Sequence, residues 1–172
     1  MWKTISFTAN TAANSDLSFN FNDEAPILIM TSTPNVFLIV AAGLSAVAAL
    51  LHVGIIFGGA SWYRLFGAGE RMASAAAKGR LYPAIVTAGI AAVLAVWSAY
   101  ALSGAGAIQP LPMLKPALIL ITGVYLVRGL AIFPLLTFAR SKSTPFLIWS
   151  SLVCIGYGVV HLFGLAQIWS YL

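Results

Sequence analysis

The chain has 172 residues, of which 60% are hydrophobic and 8% charged, with a mean hydropathy of +0.94. Soluble domains run to about 45–50% apolar and about 25% charged. A soluble globular protein, a disordered chain, a collagen-like fibre and a disulfide-stapled module are therefore excluded, and an integral membrane protein is expected.

Residues 1–35 differ from everything after them. They hold three of the four acids, Asp16, Asp23 and Glu24, with several Asn and single aromatics in no sustained period. Lys3 leads into mixed polar sequence, not into the apolar core of a secretory signal. The segment reads as a poorly ordered polar tail ahead of a four-helix domain over 36–172. Met30 offers an alternative start that would leave residues 1–29 outside the protein.

Four apolar runs follow, at 36–57, 81–102, 117–138 and 146–168. Each is near the twenty or so residues that cross about 30 Å of hydrocarbon. The ten-residue alternation of barrel strands is missing, so the runs read as helices. The expected fold is an all-α membrane protein, four transmembrane helices in an antiparallel bundle with both termini outside.

Orientation follows from the basic residues of the short loops. Loop 58–80 carries Arg64, Arg71, Lys78 and Arg80 against Glu70, and loop 139–145 carries Arg140 and Lys142. The second loop has Lys115 alone, and nothing charged follows the fourth run. Loops 58–80 and 139–145 are expected in the cytoplasm and the termini in the periplasm. The formal charge of +5 thus lies where it sets orientation and meets anionic headgroups. No basic patch with interleaved aromatics accompanies it, so the expected partner is the lipid bilayer and not nucleic acid.

Small residues recur along the runs: Ala41, Ser45 and Ala49, then Gly54 and Gly58, and later Gly156, Gly158 and Gly164. Small faces let membrane helices approach closely, which predicts tight packing within the bundle. A dimer, or docking to another membrane protein through a leftover small face, is the alternative use of the same residues.

Ionisable groups inside a membrane are costly and so are candidate functional residues. His52, Arg128 and His161 qualify. Arg128 shares a helix face with Tyr125, and His161 shares one with Tyr157. If those faces meet, the four residues form an outer-half cluster in which guanidinium matches a carboxylate or phosphate. The competing reading, ranked first, has the groups satisfying one another and locking the bundle. On the loop side, Glu70 is expected to pair with Arg64, Arg71 or Arg80, with His52 near enough to join as a donor, and a short surface helix is expected over 71–78. Haem b held by both histidines fits poorly, because they differ by roughly 12 Å in depth. No cofactor is predicted, haem b standing only as an alternative. The single cysteine, Cys154, has no internal partner, and no metal-ligand spacing is present. A serine–histidine–acid set, paired catalytic carboxylates and a phosphate-binding glycine loop are also missing from the sequence.

The stretch Leu51-His52-Val53-Gly54 through Phe57-Gly58-Gly59, followed by Trp62-Tyr63-Arg64 and Gly67-Ala68-Gly69-Glu70-Arg71-Met72-Ala73, resembles a group of small, uncharacterised four-helix inner-membrane proteins of Gram-negative bacteria. Tyr100-Ala101-Leu102-Ser103-Gly104-Ala105-Gly106, Leu111-Pro112, Tyr125, Arg128-Gly129-Leu130 and His161-Leu162 extend it over about residues 36–170. The resemblance implies topology and a bacterial inner membrane, and brings no activity with it.

Three functions are then expected in order. The first is a non-enzymatic accessory or structural membrane component. The second is a transporter or binder of a small anionic or amphiphilic molecule, using Arg128 with Tyr125, Tyr157 and His161. The third is a histidine-ligated redox cofactor subunit.

Overall fold

A computed structural model describes residues 34–138 and 145–171. The expected tail, apart from its last two residues, and the loop bearing Arg140 and Lys142 lie outside them. Among the described residues there are helices and no strands. In chain order these are α1 (Val36–Leu65), α2 (Glu70–Ala77), α3 (Tyr82–Gly104), α4 (Leu114–Leu130), α5 (Ile132–Phe138) and α6 (Pro145–Ile168), closed by a 3-10 turn at Trp169–Tyr171. Four segments are long and apolar enough to cross a membrane: Val36–Leu65, Tyr82–Gly104, Leu114–Pro134 and Pro145–Ile168.

Asn35 shows how local sequence sets the frame. Its side-chain oxygen accepts from the Leu38 amide at 3.0 Å, the hydrogen bond of a helix N-cap. The same side chain donates to the Gly164 carbonyl at 3.1 Å, and its backbone N–H donates to Ala105 O at 3.1 Å. One residue therefore starts α1 and ties it to the last turns of α3 and α6.

Packing then runs in layers along α1. Leu38, Ala105, Leu118 and Leu165 form one apolar cluster. Ala41, Ala42 and Ala101 form the next, and Ala49, Leu94, Ile121 and Tyr125 a third. The small face of α1 is buried as its spacing requires, with Ala41, Ser45 and Ala49 all enclosed. Close backbone approach is what a membrane helix pair gains from such a face. Between α1 and α3, Ser98 Oγ donates to the Ala42 carbonyl at 2.8 Å. α1 packs extensively on α3 and α4 on α6, whereas α3 and α4 meet over a short stretch only.

Two departures from the sequence expectation shape the site. The first apolar run does not end at residue 57: α1 breaks at Gly59, with φ +62° and ψ −149°, and resumes to Leu65. That left-handed residue suits glycine and folds Trp62 back onto Gly54 and Gly58. Those two glycines therefore receive an indole from their own helix, not a neighbouring one. The third run is also not one helix over 117–138. Pro134 has no N–H, and its ring clashes with the carbonyl four residues back, which is Leu130, where α4 ends. A second helix, α5, begins after Ala131.

Candidate functional site

The break at Leu130 moves Arg128 from mid-span into the last turn of α4, where a cation suits the negative end of the helix dipole. From there its guanidinium donates to Ser151 Oγ and to Ser150 Oγ, each at 3.3 Å, on α6. It does not bond Tyr157 or His161, so the four-residue outer cluster divides in two.

The first part is an aromatic knot. Tyr125 packs edge-on to Trp97 at 5.0 Å and to Tyr157 at 5.4 Å, and lies tilted against His161 at 5.3 Å. Its hydroxyl shares a hydrogen bond with Ser45 Oγ at 3.1 Å. His161 is 1% exposed, and neither ring nitrogen has a hydrogen-bond partner among the described residues. Edge-to-face contacts of this kind add specificity to apolar burial, so the knot fixes where α1, α3, α4 and α6 cross.

The second part is a cavity of about 700 Å³ on the side where α3 and α4 meet least, lined also from α1, α2 and α6. It lies within the range of small-molecule sites, roughly 300–1,000 Å³. Arg128 and Ser150 supply polar lining, His52 comes from α1, and Val93, Leu94 and Trp97 of α3 supply apolar wall. Cys154 of α6 and Tyr125 of α4 also line it. The lining on α3 runs from Val86 to Trp97, about 16 Å of helix. His52 Nδ1 lies 2.7 Å from the Ala48 carbonyl oxygen. A carbonyl only accepts, so Nδ1 carries the proton in this arrangement.

His52 does not join Glu70. Gly67 and Gly69, at φ +64° and +88°, reverse the chain so that Glu70 at the start of α2 meets Arg64 at the end of α1. Arg64 Nε and Nη2 donate to the two carboxylate oxygens at 2.9 and 2.8 Å. Arg71, also expected near Glu70, instead faces a separate recess on the outer side of α2. The Arg64 hydrogen bonds hold the Glu70 carboxyl below its ordinary value of 4.5. A depressed folded value means the clamp contributes fully above about pH 4.5 and is lost as pH falls through the lowered value. Any difference in thermal midpoint between wild type and Glu70→Gln at neutral pH is therefore expected to close on acidification below 4.5. The pair is exposed, so the difference is small.

The residues that sequence reading missed are Ser150, Ser151, Trp97 and Cys154. Serines and a tryptophan inside apolar runs carry no signal of their own. Only the i, i+3 spacing of Tyr125 and Arg128 hinted that α4 presents polar groups toward a partner helix. No family model, curated protein or solved structure matches the chain.

Proposed function

We propose that this chain is a non-enzymatic, multi-pass protein of a bacterial inner membrane that holds an amphiphilic anion in the cleft between α3 and α4. The observation that carries the reading is Arg128, a cation without an acid among the described residues, placed beside a mostly apolar cavity. The only acid after residue 24 is Glu70, and Arg64 takes both of its oxygens. A carboxylate or phosphate on Arg128 would gain charge-assisted hydrogen bonds. The apolar remainder of such a ligand would lie along Val93, Leu94 and Trp97, entering from the bilayer between helices that are not closely packed.

Topology supports this orientation. The layer in which Leu38, Ala105, Leu118 and Leu165 meet joins the start of α1 and α4 to the end of α3 and α6, as spans of alternating direction require. With the basic loops cytoplasmic, residues 58–80 and 139–145 face inward and the termini face the periplasm. Arg128 then lies toward the inner leaflet. In a Cys154→Ala background, Ala77→Cys is expected to resist an impermeant maleimide in intact cells and to react once the cytoplasm is opened. Labelling of intact cells would reverse the orientation.

The test of binding is a photoactivatable fatty acid added to membranes containing the full chain. Crosslinks are expected to concentrate on the α3 wall around Val93–Trp97 and on Cys154. Crosslinks spread evenly over the outward apolar faces, such as Val47 and Leu50 of α1, would overturn it.

A second reading has its own observation. The guanidinium bonds to Ser150 and Ser151 make Arg128 a tie between α4 and α6, the role expected in a structural or accessory component.

A further inference from the structure

A second recess lies at the edge of the spans, at the corner between α2 and α3, and shares no lining residue with the cleft. It has a volume of about 480 Å³ and is lined by Arg71, Ser74, Ala75, Lys78, Arg80 and Tyr82. Three cations, two hydroxyl groups and no carboxylate converge on it. None of the three cations is ion-paired among the described residues, the one acid there being held by Arg64.

The arrangement is built by the local fold. Arg71, Ser74, Ala75 and Lys78 are spaced at i, i+3, i+4 and i+7, which places them on one face of α2. The opposite face is anchored, because Ala73 is fully buried with Ile55 and Tyr63. At the end of the helix, Gly79 takes φ +70°, its N–H donates to Ala76 O at 3.0 Å, and Arg80 N–H donates to Ala75 O at 3.0 Å. This is the paired closure of a glycine-ended helix, and it swings Arg80 back beside the face that carries Arg71 and Lys78. Tyr82 then opens α3, so the recess lies at the edge of an apolar span.

We infer that this corner is a binding site for a phosphate-bearing anion at the membrane edge. Guanidinium groups suit phosphate oxygens through paired hydrogen bonds, and a lysine adds a point charge. The same chemistry could be supplied by the headgroup of an anionic phospholipid or by a soluble phosphate, and the test separates them.

The experiment titrates the purified full chain in neutral detergent with short-chain phosphatidic acid, short-chain phosphatidylcholine and inorganic pyrophosphate, reading the thermal midpoint and the heat of binding. Saturable binding of phosphatidic acid, without phosphatidylcholine or pyrophosphate, that survives in the Arg128→Gln variant supports the site with a lipid headgroup as ligand. Binding of both supports the site with phosphate alone sufficient. Saturable binding of neither overturns the proposal. In the variant Arg71→Gln/Lys78→Gln/Arg80→Gln, which changes exposed side chains only, affinity is expected to fall about 100-fold, at about 1 kcal/mol for each cation.

A charge-preserving control distinguishes a site from a diffusely basic face. Arg71→Gln combined with Ala77→Arg keeps the net charge but moves one cation about 120° around α2. An affinity about fivefold below wild type is expected. An affinity equal to wild type would show that only total charge matters and would overturn the site.

Discussion

Gly129→Ala is expected to destabilise the protein in mild detergent by about 1–3 kcal/mol, the cost of forcing a methyl group into a closed contact. Gly123→Ala, about one and two-thirds turns earlier in the same helix, is expected to be neutral or slightly stabilising. The contrast arises from the packing of α4 on α6. A Cβ at Gly129 would sit 2.8 Å from the Ile155 backbone nitrogen and 3.0 Å from the Ser151 carbonyl oxygen, whereas one at Gly123 meets nothing within 4 Å. Backbone atoms cannot swing aside as a flexible side chain does, so the helices must separate. Thermal unfolding of the two variants side by side checks this. Equal midpoints would mean that α4 and α6 do not approach so closely. Because Ser151 also accepts from Arg128, separating the helices is expected to loosen the polar lining of the cleft as well.

Arg128→Gln is expected to weaken retention of an amphiphilic anion by roughly 10- to 150-fold, the worth of hydrogen bonds to a charged group at about 1.5–3 kcal/mol. The variant should still fold. Arg128 holds its two serines at 3.3 Å, towards the long end of hydrogen bonding, while the aromatic knot and the close glycine contacts do not involve it. The structural reading predicts the reverse: a lower unfolding midpoint with binding per folded molecule unchanged. Measuring both quantities on one preparation separates the two.

The four apolar segments were legible because length and apolar content alone decide whether a helix can cross hydrocarbon. The buried face of α1 was legible because Ala41, Ser45 and Ala49 repeat at a helical period. For Glu70 the sequence left three arginines open. The choice of Arg64 depends on two positive-φ glycines whose combined turn cannot be aimed from composition.

Depth was harder to read than existence. Arg128 reads as central because the mostly apolar run 117–138 shows no end near it, whereas Pro134 ends the helix four residues earlier. The separation of α3 from α4 had no local sign, since both helices are mostly apolar and their few polar residues do not say which neighbour each face meets. Trp62 illustrates the same limit: Gly54 and Gly58 advertise a close approach without saying which group makes it.

The proposed amphiphilic anion rests on Arg128 in the cleft between α3 and α4. The most direct measurement is a native mass spectrum of wild type and Arg128→Gln, each released from the same mild detergent with bound molecules retained. Wild type is expected to carry a stoichiometric extra mass that fragments to an anionic amphiphile, and the variant to carry little or none. A bare polypeptide mass for wild type, or the same adduct at the same occupancy on both proteins, would contradict it.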